Sequence, residues 1–514
     1  MVGPKKPRRL ASLVLRNRPL QLTEVLDGAE MEVTDNTVTN ETEILGLTCD
    51  SRQVEPGFIF AALPGHQLDG REYIAEALEK GAVCVVAPPG TNLPGDPRDP
   101  WTGEPIPLLM HTNPRRQYAL MAASFFEAQP DCIAAVTGTN GKTSVVTFLR
   151  QIWVGLGRKA ASTGTLGVVA RGFENRKTLT TPDPADLHRN LRDLARFGIT
   201  RLAMEASSHG LEQYRLDGVR VGIAAFTNLT RDHLDYHGDM DAYLAAKLRL
   251  FTDILAPGGT AVLNADGDYA DAVETACRNA GLKILRYGGI GADICLDAST
   301  IISGGYQLDI SAGGNRYQTT LPLMGDFQVS NAMAAVALAI ASGEDPGGVI
   351  AQLEHLEGAP GRVQLVGETP EGAAVFVDYA HTPDALSNVL RALRPHADGR
   401  LCVVFGCGGD RDSGKRSEMG AIASELADVV IVTDDNPRTE DAAQIRAQIL
   451  AAAPAAVEIA EREEAITKTI QGLGAGDLLV IAGKGHEKGQ IIGTETRPFD
   501  DIQIARDVLR RLPA

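Results

Sequence analysis

The sequence has few aromatic and few basic side chains. Phe, Trp and Tyr make up only 5% of its 514 residues, so it lacks the aromatic platform on which single-stranded nucleic acids stack. Lys and Arg number 49 against 66 Asp and Glu, which gives a formal net charge of −17. Because so negative a surface repels phosphate backbones, we expect no nucleic-acid partner. An anionic ligand must then be held locally, by backbone amides, a few cations or a metal.

Long apolar runs and paired cysteines are also missing. No apolar stretch reaches the roughly 20 residues that cross a bilayer, so we expect no membrane association. The seven cysteines are odd in number and include no Cys-x-x-Cys pair, which predicts reduced thiols and a cytoplasmic protein. The basic N-terminus precedes an apolar run shorter than a signal-peptide core, and it is predicted to be a frayed tail.

Glycine is abundant, with 54 residues, and the chain is long. At about 150 residues per domain, its length predicts about three domains. We place an N-terminal domain over 1–111, a central domain over 112–358 and a C-terminal domain over 359–514, with a Pro/Gly-rich surface loop over 88–107. Short apolar runs alternate with helical patterns in the last two domains. The predicted fold class is therefore α/β, with a P-loop-type, mostly parallel central sheet and a Rossmann-like C-terminal domain.

Polar clusters directly follow seven of the predicted strands. Open α/β sheets bind ligands beyond the carboxyl ends of their strands, so these clusters predict ligand sites. They lie at 137–143, 205–210, 227–235, 378–381, 406–411, 433–438 and 482–487.

The segment GTNGKT at 138–143 lies between a predicted strand and a helical pattern that begins at Ser144. Its backbone amides can cradle a phosphate, Lys142 can supply a positive charge, and Thr143 can supply a hydroxyl for Mg²⁺. The segment departs from the usual P-loop, because Val136 stands where a glycine is expected. The alternative is a glycine-rich turn ahead of a helix.

Three further residues have competing interpretations. Glu205 and His233 follow neighbouring predicted strands and could bind a hard metal beside nucleotide phosphates; alternatively, they are a helix-capping Glu and a loop His. Lys247 lies in an amphipathic helical pattern over 241–251, which locally indicates a solvated lysine. Several cations at the edge of the third domain fit a site for anionic groups; with their neighbours they are Arg362, Asp378, His381, Arg411, Lys415 and Arg416.

Nine motifs in order give the chain a strong resemblance to the Mur ligase family, the ATP-dependent amide ligases of peptidoglycan precursor synthesis. The motifs are GTNGKT (138–143), EASSHGL (205–211), TNLTRDHLDYHG (227–238), LNAD (263–266), PGR (360–362), DYAHTPD (378–384), GCGGDRD (406–412), GKGHE (483–487) and PFDD (498–501). The resemblance implies a cytoplasmic enzyme, expected to be a monomer, that uses ATP and Mg²⁺. Its other substrates would be a UDP-N-acetylmuramoyl dipeptide and an amino acid.

The run Asp435-Asn436-Pro437-Arg438 resembles the branch of the family that adds meso-diaminopimelate. Diaminopimelate carries a second carboxylate that lysine lacks, and an arginine binds a carboxylate through two parallel hydrogen bonds. Gly489 is a departure, because relatives usually carry an aromatic residue there.

The resemblance also implies a role for individual residues. The ATP-binding residues would be Gly138, Thr139, Asn140, Gly141, Lys142, Thr143, Ser144, Asn331, Arg362 and Asp378. The UDP-sugar and its peptide would be bound by Ser51, His66, Gln67, Leu68, Thr180, Thr181, Ser207, Gln213 and Arg215. Diaminopimelate would be bound by Arg411, Asp435, Asn436, Pro437, Arg438, Gly483 and Glu487. The catalytic residues would be Lys142, Glu205, His233 and Lys247, and the metal would be held by Thr143, Glu205, His233 and Lys247 as a carbamate.

Two other kinds of function stay open at this point. One is the same ligase chemistry with another acceptor, either L-lysine or the substrate of a folylpolyglutamate-synthase-like enzyme. The other is a non-catalytic, ATP-binding regulator of the same fold. Arg438 argues against lysine, and the intact set of Lys142, Glu205, His233 and Arg411 argues against a decayed site.

Overall fold

A computed structural model describes residues 19–29, 42–65, 68–173 and 179–512. These residues form two compact units. The first contains the chain up to 139 with 158–261 and 271–284, and the second contains 140–157, 262–270 and the chain from 285 onward. Within the described ranges, no helix is long and apolar enough to cross a membrane. The predicted frayed N-terminal tail lies outside these ranges.

The regular elements of the first half of the chain are short and alternate between strand and helix. In chain order they are β1 (Leu20–Gln21), α1 (Leu22–Val25), β2 (Glu43–Ile44), β3 (Gly46–Thr48), β4 (Phe58–Ala61), α2 (Ile74–Glu79), β5 (Ala82–Ala87), β6 (Leu108–Met110), α3 (Pro114–Phe126), β7 (Cys132–Thr137), α4 (Lys142–Gly155), β8 (Ala160–Gly164), β9 (Gly167–Ala170), α5 (Pro184–Arg196), β10 (Arg201–Glu205), α6 (Ser208–Glu212), β11 (Val221–Phe226), α7 (Leu234–His237) and α8 (Met240–Arg249).

The second half begins with long strands and ends in a regular α/β alternation. Its elements are β12 (Leu255–Asn264), α9 (Ala270–Asn279), β13 (Lys283–Gly288), β14 (Ile294–Ile302), β15 (Gly305–Ala312), β16 (Asn315–Leu321), α10 (Asp326–Ala341), α11 (Pro346–Ala351), β17 (Gln364–Glu368), β18 (Ala374–Asp378), α12 (Pro383–Leu393), β19 (Leu401–Phe405), α13 (Gly414–Leu426), β20 (Val429–Val432), α14 (Ala442–Leu450), β21 (Val457–Glu458), α15 (Arg462–Gln471), β22 (Leu478–Ala482), β23 (Gly489–Ile492), β24 (Glu495–Pro498) and α16 (Asp501–Arg511).

The first unit contains two parallel arrays of strands. Strands β3, β4, β5 and β6 form a four-stranded parallel sheet. Strands β11, β7, β10 and β8 follow one another in a second parallel array, which ends in the antiparallel β9. In β7, the residues from Ile133 to Thr137 are all buried, as expected of a parallel strand covered on both faces. No strand or helix lies between β5 and β6, which agrees with the predicted 88–107 loop.

The second unit contains an antiparallel segment that the sequence analysis did not anticipate. Strands β14, β15 and β16 pair antiparallel, and β13 joins β14 in parallel. In β15, fully buried and partly buried residues alternate, as expected of a sheet that faces water on one side. Helix α10, which is apolar throughout from Ala332 to its end, packs on α4.

The C-terminal sheet has the order β17-β18-β22-β19-β20-β21 and is parallel except for β17. Helices α12, α13 and α14 cover one face, and α15 and α16 cover the other, so apolar cores form on both sides of the sheet. The α/β fold class and the Rossmann-like C-terminal domain are therefore confirmed. The domain boundaries at 111/112 and 358/359 stay predictions.

Candidate active site

The loop after β7 needs glycine at its first position. Gly138 has a φ of 146°, and a Cβ there would lie 1.9 Å from Thr227 Oγ1. The next residue, Thr139, is held to the end of β11, because its amide donates to the Asn228 carbonyl at 2.9 Å and its Oγ1 accepts from the Thr230 amide at 3.0 Å. The first half of the loop is therefore fixed before any ligand binds.

Lys247 is only 1% exposed, so the local expectation of a solvated lysine is wrong. Its Nζ donates to the Gly138 carbonyl at 2.8 Å and lies 4.3 Å from the centre of the Tyr243 ring. The buried face of α8 also includes Ala246. The side chain therefore reaches the loop after β7, which places it beside the segment predicted to bind phosphate.

Glu205 is the last residue of β10 and is 2% exposed. Its carboxylate accepts hydrogen bonds from the Thr165 amide at 2.9 Å and the Thr165 hydroxyl at 3.2 Å. A Cβ at Gly164 would lie 2.2 Å from Glu205 Oε1, so a glycine makes room for the carboxylate. Helix α6 is capped by Ser207, which accepts from the Gly210 amide at 3.1 Å, so the alternative of a helix-capping Glu205 is wrong.

His233 lies at the start of α7 with a left-handed φ of 53°. Its side chain is 48% exposed, and its Nε2 lies 3.5 Å from Asp232 Oδ2. The ring makes an edge contact with His209 at a centroid distance of 4.9 Å. In the part of the chain that the structure describes, no three His, Cys, Asp or Glu side chains form a ready metal cage.

Thr181 is the centre of the residues predicted to bind the peptide. It is 1% exposed, and its Oγ1 accepts from the Ser207 hydroxyl at 2.9 Å. Its carbonyl accepts from Arg215 at 2.7 Å, and Arg215 also donates to Gln213 Oε1 at 2.6 Å. Thr180 joins the group through Thr165, at 3.0 Å between hydroxyls. The structure therefore brings all five predicted peptide-binding residues together.

Two of the four predicted UDP-sugar residues, Ser51 and Leu68, lie within the described ranges. Ser51 is 8% exposed, and its hydroxyl donates to Glu76 Oε2 at 2.9 Å. Leu68 is 65% exposed. His66 and Gln67 lie outside the described residues.

The second half of the phosphate loop continues into α4. This helix begins at Lys142, two residues earlier than the predicted Ser144, because Gly141 takes a left-handed φ of 87° and starts the first turn. A Cβ on Gly141 would lie 2.3 Å from Asn331 Oδ1, so Asn331 of α10 lies against the loop. Asn140 is exposed, Lys142 is half-buried, and Thr143 and Ser144 are buried. The helix N-terminus therefore presents amides and a lysine at one point, the arrangement that binds phosphate.

Gln328 connects the predicted nucleotide residues, although no sequence signal marked it. It is fully buried, accepts from Asn331 Nδ2 at 3.2 Å and donates to the Arg362 carbonyl at 3.2 Å. The carboxylate of Asp378 accepts from the Val363 amide at 2.7 Å and from the Ala380 amide, also at 2.7 Å. Burial raises the pKa of Asp378, and the charge of Arg362 opposes that rise. Asp378 thus fastens the turn that carries Arg362.

The predicted diaminopimelate residues lie in loops after β19, β20 and β22. Arg438 takes a left-handed φ of 52°, donates its amide to the Ile491 carbonyl at 3.1 Å and donates its guanidinium to the Gly409 carbonyl at 2.7 Å. Asn436 Oδ1 accepts from the Ile491 amide at 2.9 Å. Arg411 is exposed on the loop after β19. The loops after β19 and β20 are therefore joined through Arg438.

Lys484 was not predicted as a site residue, yet it is fully buried among these loops. Its Nζ donates to Asn436 Oδ1 at 3.0 Å and to Glu487 Oε2 at 3.3 Å. Gly483 has a φ of 115°, and a Cβ there would lie 2.6 Å from Asp435 Oδ2. Burial raises the pKa of Asp435, while Arg462 and Lys484 oppose that rise.

The departure at Gly489 has a local steric explanation. It begins β23, where a Cβ would lie 2.8 Å from Thr496 Cγ2 of the paired strand β24. A larger side chain would require Thr496 to move.

Models of known protein families match most of the chain. Residues 43–122 match the Mur ligase family catalytic domain, 136–339 match the Mur ligase middle domain, and 361–485 match the Mur ligase glutamate ligase domain. A relative from Mesorhizobium japonicum, named UDP-N-acetylmuramoyl-L-alanyl-D-glutamate–2,6-diaminopimelate ligase, is 50% identical over 93% of this chain and 98% of its own. The chain belongs to the Mur ligase family.

Two further relatives of this Mur ligase carry the same name, and a more distant protein shares its fold. A protein from Bradyrhizobium diazoefficiens with the same name is 52% identical over 89% of the chain and 93% of its own length. A solved structure of a ligase with that name has 34% identity and a TM-score of 0.69, and it covers 96% of this chain and 99% of its own. A folylpolyglutamate synthase from Mycobacterium tuberculosis, at 20% identity and a TM-score of 0.61 over 78% of this chain and 96% of its own, shares the fold alone.

Proposed function

We propose that this Mur ligase joins meso-2,6-diaminopimelate to the D-glutamate of UDP-N-acetylmuramoyl-L-alanyl-D-glutamate at the expense of ATP. Relatives near 50% identity carry the name of the 2,6-diaminopimelate ligase. The observation that carries the choice of amino acid is Arg438, which lies half-buried where the loops after β19 and β20 meet. The guanidinium donors at that point can bind a carboxylate through parallel hydrogen bonds. They cannot bind the ammonium end of lysine, which is also a cation and a donor.

The phosphate loop and three residues from later in the chain would bind ATP. The amides of 138–144 and the charge of Lys142 bind the phosphates, and Asn331, Arg362 and Asp378 hold the nucleoside end. The fixed loop and the glycines at 138 and 141 support this assignment, because the backbone can approach a phosphate without a side chain in the way.

The donors available for Mg²⁺ are a hydroxyl, a carboxylate and an imidazole, from Thr143, Glu205 and His233. Few protein ligands fit Mg²⁺ bound with a nucleotide, since that ion keeps phosphate and water oxygens in most positions. Lys247 would complete the set as a carbamate, and its position against the loop after β7, beside the segment proposed to bind phosphate, supports this. When bound, Mg²⁺ neutralises charge on the phosphates.

The proposed reaction has two steps. A γ-carboxylate oxygen of the D-glutamate attacks the γ-phosphorus of ATP; the bond to the β-phosphate oxygen breaks, ADP leaves, and an acyl phosphate is formed. The diaminopimelate amine then attacks the acyl carbon, loses a proton and expels inorganic phosphate from a tetrahedral intermediate. Lys142 stabilises the charge that moves among the phosphate oxygens, and Thr181, Ser207 and Arg215 hold the peptide in line.

Glu487 and Arg411 complete the proposed amino-acid pocket. Glu487 accepts from Asn436 Nδ2 at 3.1 Å and from Lys484, so its carboxylate is oriented before an ammonium group arrives. Arg411 is exposed and able to meet a carboxylate of the incoming substrate. We further propose that the enzyme acts in the cytoplasm as a monomer.

Phosphate release measured side by side with diaminopimelate, lysine and ornithine tests the proposal. We expect release that depends on the UDP-dipeptide and on diaminopimelate, and very little with the other two amino acids. Equal use of lysine would indicate the lysine-adding alternative, and no ATP turnover with any acceptor would indicate a regulator.

A further inference from the structure

The PFDD motif ends in Asp501, a residue that has no part in the proposed chemistry. Asp501 is the first residue of α16 and is fully buried. Its two carboxylate oxygens accept from Arg462, the first residue of α15, at 2.8 and 2.7 Å. The side chains of both residues have 0% exposure, so the ion pair is wholly excluded from water.

Arg462 also binds the backbone at the base of two loops. It donates to the Ala482 carbonyl, at the end of β22, at 2.9 Å, and to the Asp434 carbonyl, just after β20, at 3.5 Å. The residues that follow these carbonyls are Gly483 and Asp435, which begin the GKGHE and DNPR segments. One guanidinium therefore joins the starting points of both segments proposed to bind diaminopimelate.

Stability alone is a poor explanation for such a pair. Taking two charges out of water is costly, and well-packed apolar replacements are often at least as stable. A planar guanidinium with donors in a fixed fork does what apolar residues cannot, because it sets the distance and angle between two carbonyls. Its charge also faces Asp435, whose buried carboxylate it helps to keep ionised.

We propose that the buried Arg462–Asp501 pair positions the two diaminopimelate-binding loops relative to each other and so sets the affinity for the incoming amino acid. This inference rests on the proposed function. Asp501 and Arg462 are positioning residues, because Asp501 acts through Arg462, and Arg462 acts through the carbonyls of 434 and 482.

The same sheet offers a control ion pair at the opposite ends of its strands. Arg400 directly precedes β19 and Asp477 directly precedes β22, so this second ion pair lies at the amino ends of the strands. Arg400 donates to Asp477 Oδ2 at 2.5 and 3.0 Å, and the Asp477 side chain is 5% exposed. Both pairs brace the C-terminal sheet, but only the Arg462–Asp501 pair contacts the base of the ligand-binding loops.

The experiment compares Asp501→Asn with Asp477→Asn in the full-length enzyme, by steady-state kinetics and thermal unfolding. For Asp501→Asn we expect the KM for diaminopimelate to rise about tenfold or more, equivalent to about 1.4 kcal/mol of binding. The KM values for ATP and the UDP-dipeptide should stay within about twofold. Asp477→Asn should lower the melting temperature and leave all three KM values unchanged.

Arg462→Lys provides a second variant in case Asp501→Asn does not fold. It keeps the buried positive charge but lacks the fork, so it cannot hold Asp501 and both carbonyls together. We expect the same selective rise in the KM for diaminopimelate. A folded variant of either kind with an unchanged KM for diaminopimelate overturns the inference, as does an equal rise in Asp477→Asn. Failure of the wild type to use diaminopimelate would instead overturn the proposed function.

Discussion

Replacing Arg438 by alanine should selectively weaken the use of diaminopimelate. The guanidinium is half-buried and makes a hydrogen bond of 2.7 Å to the Gly409 carbonyl, so part of its donor set stays available for a ligand. Truncating one partner of a buried charge pair costs about 2–5 kcal/mol. Because Arg438 is only partly desolvated, we expect the lower part of this range, about 2–3 kcal/mol. At about 1.4 kcal/mol per decade, kcat/KM for diaminopimelate should fall roughly 30- to 150-fold.

The assay is phosphate release with diaminopimelate and lysine, for the wild type, Arg438→Ala and Arg438→Lys. Lysine never meets the fork, so its poor kcat/KM should change little in Arg438→Ala. Arg438→Lys should recover only part of the loss, because an ammonium cannot bind a carboxylate through two parallel hydrogen bonds.

Arg394→Ala is the matched control for Arg438→Ala. Arg394 lies in the same domain, pairs with Asp428 and, like Arg438, donates its guanidinium to backbone carbonyls, and its side chain is 40% exposed. It should leave the preference for diaminopimelate intact. An Arg438→Ala enzyme that still strongly prefers diaminopimelate would refute the reasoning, because discrimination would then lie elsewhere.

Three further predictions concern the phosphate loop, the buried lysine and pH. Lys142→Ala should reduce turnover about 100-fold or more, as for removal of a single transition-state donor, with an unchanged melting temperature because the side chain is only half-buried; phosphate release within about threefold of wild type would contradict the loop assignment. Lys247→Ala should be nearly inactive and partly rescued by formate or acetate, which supply the anion of a carbamate, whereas full activity without added acid would mean that no carbamate is needed. Burial lowers the pKa of His188 to about 4. Between about pH 6.5 and 4, the unfolded chain therefore binds a proton that the folded chain does not. The free energy of unfolding should fall by about 3 kcal/mol as the pH is lowered through this range. Chemical denaturation of His188→Gln should show a smaller fall over this pH range, and identical pH profiles for the two proteins would refute the assignment.

The pattern of residues along the chain is enough to predict the α/β class and the strand ends that carry polar clusters. Apolar runs of strand length, followed by polar residues, have few other solutions, so β11 and β20 end directly before the polar clusters predicted at 227–235 and 433–438. The phosphate loop could also be predicted, because glycine, lysine and threonine at that spacing are typical of a loop that binds an anion. The choice of diaminopimelate came from a single arginine read through family resemblance.

Which charged residues are buried could not be predicted, because burial depends on elements that are distant in the chain and meet in the folded protein. Lys247 lies in an ordinary amphipathic pattern, yet the loop after β7 receives its ammonium group. Gln328 carried no local signal, and Lys484 was not singled out within its GKGHE motif, yet each makes hydrogen bonds that connect separate loops. Arg462 and Asp501 are 39 residues apart, and no periodicity pairs them. A charged side chain is buried in an apolar interior only where it has an ion-pair or hydrogen-bond partner. Which residue supplies that partner depends on how the strands and helices pack together.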